Sequence, residues 1–210
     1  LGSIELIRSG AMGSADKPVM DLVTIAERNS TRLLDIVNDI LDFERLSSGI
    51  MELHFERLDL VDLTQDAIAE MTPFAKIHDV ELVMGTESAG LLISGDRQRL
   101  SQVLTNLISN ASKFSPKGST VVVNIIEKNG MARLEVVDSG PGIPADMREA
   151  IFDRFTQIDC GDTRSISGTG LGLSICKSII EHHNGRLSVE ANAPKGSIFY
   201  FELDAQPKTD

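Results

Sequence analysis

Apolar residues recur at helical spacing from about Met20 to Leu46, the longest such run in the chain. Leu33, Val37, Ile40 and Leu41 line one stripe, Leu34 and Ile36 broaden it, and Asp35, Asn38, Asp39 and Asp42 fall mostly off it. The turn Ser14-Ala15-Asp16-Lys17-Pro18 precedes this helix, with Pro18 suited to a first helical turn, and Ser47-Ser48-Gly49 stops it. Leu1 to Arg8 reads as the tail of an earlier helix, closed by Ser9-Gly10. So long a stripe is either an ordinary core helix or one side of a bundle formed between chains, and the pattern leaves both open.

Beyond Gly49 the pattern turns to mixed α and β. Asp62 to Ile77 predicts a helix that Pro73 must kink or end early. Glu81–Met84 and Leu91–Ser94 are short strand candidates, and Arg97 to Phe114 is a second strong helix. The β-branched runs Thr120–Glu127 and Ala132–Val137 are joined through Lys128-Asn129-Gly130, a hairpin signal. A helix over Leu171–His183 stops at Asn184-Gly185, and Arg186–Ala191 with Ser197–Leu203 form a closing strand pair. Thr156 to Ser167 has no periodicity, a polar loop of the length typical of lids.

Composition narrows the classes. Twenty Lys+Arg against thirty-one Asp+Glu leave a net charge of −11 in 210 residues, which argues against a nucleic-acid binder. With 41% hydrophobic and 24% charged residues the chain is of ordinary globular make-up. No apolar run is long enough for a membrane helix. Cys160 and Cys176 make no metal-like spacing and no disulfide framework, which suggests a reducing compartment. The chain opens at Leu1 without Met, so it is expected to be a fragment of something longer.

Three segments carry candidate chemistry. On the helix Arg97–Phe114, Leu100, Leu104, Leu107, Ile108 and Ala111 form the buried face, while Asn106, Asn110 and Lys113 share another stripe. Two amides and an ammonium there suit a hard cation and a phosphate, or are a solvated face. Next, a β-branched strand delivers Asp138 into the turn Ser139-Gly140-Pro141-Gly142-Ile143, where glycines permit close backbone approach and a carboxylate can accept from an amine. Finally, Gly168-Thr169-Gly170-Leu171-Gly172-Leu173 leads into a helix whose free N–H groups suit an anion. It is neither a Walker loop nor a dinucleotide fingerprint. His182 and His183, at a helix C-terminus, are read as imidazoles meeting the helix dipole, not as metal ligands.

In this order, with Ile151-Phe152-Asp153-Arg154-Phe155 between the second and third, these segments closely resemble the asparagine, first glycine, phenylalanine and second glycine boxes of sensor histidine kinases. The resemblance extends over essentially the whole chain. It implies a two-layer α/β sandwich over residues 55–206, of the histidine kinase, gyrase and chaperone ATPase type. Residues 1–50 would be a partial dimerisation and phosphotransfer hairpin, building a dimeric four-helix bundle. The implied reaction moves the γ-phosphoryl group of ATP to a His, for relay to a response-regulator Asp.

By the same resemblance Asn110 ligates Mg²⁺, Asn106 and Lys113 meet the phosphates, and Asp138 accepts from the adenine amine beside Gly140 and Gly142. Phe114 and Ile143 wall the base. Phe152 and Phe155 anchor a lid in which Arg164 is a phosphate contact or a solvated charge. Gly168, Thr169, Gly170, Leu171, Gly172 and Leu173 form its far hinge and bind the nucleotide, letting the next helix face the phosphates. The family's phosphoacceptor, a His before an acidic residue and an Arg-Thr-Pro-like run, has no counterpart between Leu1 and Asp210. The expected partners are a second copy, met through the N-terminal helices, and a cognate response regulator. The expected location is cytoplasmic, with any membrane attachment outside this chain. Two other readings use the same fold: a nucleotide-binding switch without kinase activity, and a serine kinase acting on a separate protein.

Overall fold

The computed structural model describes residues 6–7, 16–47, 52–88, 90–157 and 170–206. The chain divides into two compact units, Leu1–Gly49 and Ile50–Asp210. In the first, α1 (Lys17–Ser47) is one helix of 31 residues. The Asp16 carbonyl accepts from the Met20 N–H, and Pro18 sits in the first turn, where its missing donor costs nothing. Of the expected stripe, Leu33, Leu34, Val37 and Leu41 are exposed, as are Val19, Leu22 and Ile25 toward the start. The side chains of Ile36 and Ile40 lie outside the described residues, as does the Leu1–Arg8 helix tail apart from Leu6 and Ile7.

The second unit runs β1 (Glu56–Asp59), α2 (Leu60–Ile77), β2 (Glu81–Glu87), β3 (Leu92–Gly95), α3 (Arg97–Phe114), β4 (Thr120–Lys128) and β5 (Met131–Val137). Two 3-10 turns follow at Ala145–Met147 and Ala150–Phe152, then α4 (Gly172–His182), β6 (Arg186–Ala191) and β7 (Ser197–Gln206). The sheet order is β1-β3-β7-β5-β4-β2, with β6 also on β7. All pairings are antiparallel except β2 with β4. This is the expected mixed sheet under helices.

Period-two alternation decides which face is covered. Val121, Val123 and Ile125, then Ala132, Leu134 and Val136, then Phe199, Phe201 and Leu203 are buried on one face. Against them pack the buried stripes of the helices, including Leu100, Leu104, Leu107 and Ile108 of α3 and Ile175 and Ile179 of α4. The other face carries Arg133, bonded to Glu135 (2.7 Å), Glu190 (3.2 Å) and Glu202 (3.3 Å) and stacked over Tyr200. Burial works against that charge, but Glu135 and Glu190 more than offset it and raise its pKa.

Two expectations needed correction. α2 begins at Leu60, capped by Asp59, whose Oδ1 accepts from the Val61 N–H at 2.8 Å. It also runs through Pro73 to Ile77 instead of ending early, because Leu60, Leu63, Thr64, Ala67 and Ala75 bury one continuous face. The hairpin is as expected: Asn129 (φ 55°) and Gly130 (φ 77°) make the two-residue turn that left-handed positions require.

His183, at the end of α4, is buried and makes two hydrogen bonds. Its Nδ1 bonds the Ile179 carbonyl at 2.8 Å, and its Nε2 accepts the Asp96 N–H at 2.9 Å. That pattern requires neutral imidazole. Asp96 caps α3, accepting from the N–H groups of Arg99 and of His54. Burial pushes the His183 pKa down, opposed by the Ile179 carbonyl and the Asp96 charge and aided by His182, with a net value below the usual 6.5. The unfolded chain therefore binds the proton first as pH falls. Stability is full above the ordinary histidine range and declines below it, by at most about 1.4 kcal/mol per pH unit. Urea unfolding at about pH 7.5 and about pH 5.5 should show the parent losing more stability than His183→Gln. Equal losses would remove His183 as the cause.

Candidate functional site

The amide stripe forms as the helical spacing requires. Asn110 Nδ2 donates to Asn106 Oδ1 at 3.0 Å, one turn apart on α3. That leaves Asn110 Oδ1, a neutral hard oxygen, without a hydrogen bond from the described residues. Among those residues no cluster of three His, Cys, Asp or Glu could hold a metal. An amide oxygen is a neutral hard donor of the kind that could share a cation with anionic ligand oxygens. Lys113, on the same stripe, has its Nζ 5.6 Å from the centre of the Phe74 ring.

The start of α4 meets this stripe. A Cβ on Gly172 would lie 2.4 Å from Asn106 Nδ2, so only glycine admits the amide there. The first N–H groups of α4 have no partner within the helix, and its positive end thus lies against Asn106. Leu171 is buried just before it and Leu173 is half-buried. The combination presents backbone N–H groups and an amide pair with one uncommitted oxygen together, which suits a polyphosphate.

Asp138 follows the last residue of β5 and is buried. Its Oδ1 accepts from the Gly140 N–H (2.8 Å) and the Ser197 N–H (3.1 Å). Among the described residues Oδ2 receives no hydrogen bond. One carboxylate oxygen is thus fixed to its own turn while the other remains for a donor. Burial raises the Asp138 pKa, and the bonds from Gly140 and Ser197 only partly reverse that. Gly140 is tight against the Phe114 carbonyl, 3.0 Å from where a Cβ would stand, which joins the Asp138 turn to the end of α3. Phe114 is exposed, and Ile143 is half-buried with its carbonyl accepting from Arg148 at 3.4 Å.

Phe152 is buried edge-on to Phe199, their ring centres 6.5 Å apart. Phe155 is exposed, with φ 59°, and its N–H donates to the Gly170 carbonyl at 2.9 Å. Gly170 (φ 72°) has no room for a Cβ against the Phe155 backbone. The two ends of the polar segment are therefore bonded together. Arg164, Gly168 and Thr169 lie outside the described residues, as does the lid body except Thr156 and Gln157.

The sequence reading missed the turn between β6 and β7. Asn192, Gly196 and Ser197 all touch Asp138, and the small pair Gly196-Ser197 opening a strand is the signal that could have pointed there.

Residues 95–207 match the family described as histidine kinase-, DNA gyrase B- and HSP90-like ATPase. The chain is 35% identical over 192 residues to hybrid signal transduction histidine kinase D of Dictyostelium discoideum, covering 89% of this chain and 12% of that protein. It is 36% identical over 188 residues to sensor protein GacS of Pseudomonas syringae pv. syringae, covering 87% and 21%. The chain thus spans about an eighth to a fifth of these relatives. Among solved structures, full-length ShkA in complex with AMPPNP superposes with a TM-score of 0.82 at 29% identity, over 100% of this chain and 43% of that one. The mycobacterial sensor histidine kinase MprB gives 0.63 at 30%, over 74% of this chain and 100% of that one. ThkA in complex with response regulator protein TrrA gives 0.73 at 26%, over 100% and 57%.

Proposed function

The chain belongs to the histidine kinase-, DNA gyrase B- and HSP90-like ATPase family, as a catalytic domain of the sensor histidine kinase kind, and from that premise we propose that it transfers the γ-phosphoryl group of Mg-ATP to a histidine on a helical bundle. The phosphoryl group then passes to an aspartate of a response regulator in two-component signalling. The observation that carries this reading is the meeting of the Asn106–Asn110 amide pair with the glycine-opened start of α4.

Each residue has a task. Asp138 Oδ2 accepts from the adenine amine, with Gly140 and Gly142 keeping the backbone close and Phe114 and Ile143 flanking the ring. Asn110 Oδ1 holds the magnesium ion, whose charge lowers the cost of charge building on the transferring group. Asn106, Lys113, Arg164 and the N–H groups of α4 orient the phosphates. Phe152 and Phe155 hold the near end of the lid and Gly168 to Leu173 its hinge. Most of the rate comes from orientation and charge compensation.

Residues 1–50 act as a partial dimerisation and phosphotransfer hairpin that lacks the phosphoacceptor His, and residues 55–206 as the ATP-binding part. The exposed apolar residues on α1 support pairing with a second copy, since such a stripe wants a bundle partner. ThkA in complex with its response regulator supports the second partner. We assign this portion to the cytoplasm, where it would meet a response regulator; no helix of the described residues is long and apolar enough to cross a membrane.

The test is incubation with γ-labelled ATP. Alone, the chain should take up no acid-labile label on His54, His78, His182 or His183, because none lies in a phosphoacceptor context. With a histidine-bearing bundle fragment added, that histidine should label, and Asn110→Asp should slow it at least about a hundredfold. Acid-stable label on a protein hydroxyl would favour the serine kinase instead. No label with the bundle present would leave a nucleotide-binding switch.

A further inference from the structure

We propose that Asn192 is a positioning residue for base recognition: its side-chain amide holds the Asp138 backbone so that the Asp138 carboxylate stays committed to the ligand. This rests on the assignment of Asp138 as the base contact.

The argument begins with a missing ladder bond. In an antiparallel sheet, a hydrogen-bonded pair exchanges both N–H···O=C bonds. Beyond Val137 and Ile198, Asp138 and Ser197 would be such a pair at the end of β5 and β7. Only half of the exchange is present. The Asp138 N–H donates to the Ser197 carbonyl at 2.9 Å, but the Ser197 N–H turns instead to Asp138 Oδ1 at 3.1 Å. The Asp138 carbonyl has lost its backbone donor. It is buried, and a buried carbonyl without a partner is costly.

Asn192 fills the gap. Its Nδ2 donates to the Asp138 carbonyl at 2.9 Å, across 54 residues of sequence. The Asn192 N–H is itself fixed to the Gly196 carbonyl at 3.1 Å, closing the turn from which the side chain reaches. One amide therefore frees the Ser197 N–H to hold the carboxylate. Without it, the bare carbonyl competes for that N–H, Oδ1 loses one of its two donors, and Oδ2 loses its fixed direction.

The test compares Asn192→Ala with Asn192→Leu, which is close in shape and removes the donor without adding a charge, and with Asp138→Ala as reference. Calorimetric titration with adenosine and with Mg-ATP should show both Asn192 variants weakening the two ligands by the same factor, roughly five- to tenfold. The ratio of the two affinities should stay at the parent's value, because the phosphate end is untouched. The acid limb of binding should also move to higher pH, since the ionised carboxylate loses a donor. Burial, Gly140 and Ser197 are the influences acting on that group, with no other ionisable side chain among them. The double variant with Asp138→Ala should lose no more than Asp138→Ala alone.

A lowered melting temperature with unchanged adenosine affinity and pH limb would make Asn192 merely structural and overturn the proposal. If Asp138→Ala itself leaves adenosine binding unchanged, the base assignment fails and this inference with it. Parent-like Asn192 variants beside a damaged Asp138→Ala would sink the inference and leave the base assignment standing.

Discussion

Asp138→Ala should weaken ATP roughly ten- to a hundredfold, the loss of one charged hydrogen bond at ~1.5–3 kcal/mol. The effect should fall on binding more than on folding. The carboxylate is buried and its pKa is raised by that burial, so in the folded chain the ionised form is held at a cost. Removing it relieves that cost while stranding the Gly140 and Ser197 N–H groups, two opposing changes. Adenosine and ATP should suffer alike, and calorimetric titration of both decides it. Unchanged affinity for either ligand would remove Asp138 from the site.

Gly196→Ala should cost at least about 3 kcal/mol of stability, since strain and overlap each contribute in the same direction. The residue has φ 126°, which side-chain-bearing residues rarely adopt, and a Cβ would stand 2.0 Å from the Asp138 carbonyl oxygen. Neither atom is the loose end of a side chain. The backbone of the β6–β7 turn would have to withdraw from Asp138, so nucleotide affinity should fall with stability. Chemical denaturation gives the first quantity and titration of the folded fraction the second. A variant as stable as the parent would mean that this turn does not pack against Asp138.

What the sequence made legible was whatever repeats along one element. The period of α3 put Asn106 and Asn110 one turn apart, and their hydrogen bond follows from that spacing alone. Asn129-Gly130 announced its turn, and the β-branched runs on either side announced β4 and β5. What stayed hidden was decided by partners distant in sequence. Strand β1 is Glu-Arg-Leu-Asp, with no pattern of its own, and is a strand because β3 pairs with it. His183 read correctly as an imidazole at a helix end, but its bond to the Asp96 N–H joins residues 87 apart. Asn192 reaches the Asp138 carbonyl across 54 residues, which no local pattern signals. Pro73 does not end its helix, as one of its two local readings had it: burial along the whole helix carries the chain on to Ile77.

Strand β7 has a consequence for how the protein is made. It is the last of the described strands in chain order, yet it lies inside the sheet, with β5 along one edge and β6 and β3 along the other. On the ribosome, β1 and β3 on one side and β5, β4 and β2 on the other are synthesised before the strand that joins them. At roughly 5–20 residues per second those halves wait with open edges facing the place of the missing strand. The sheet is therefore completed only when Gln206 has left the exit tunnel, and a messenger truncated before Ser197 yields two separate sheet fragments, not a trimmed domain.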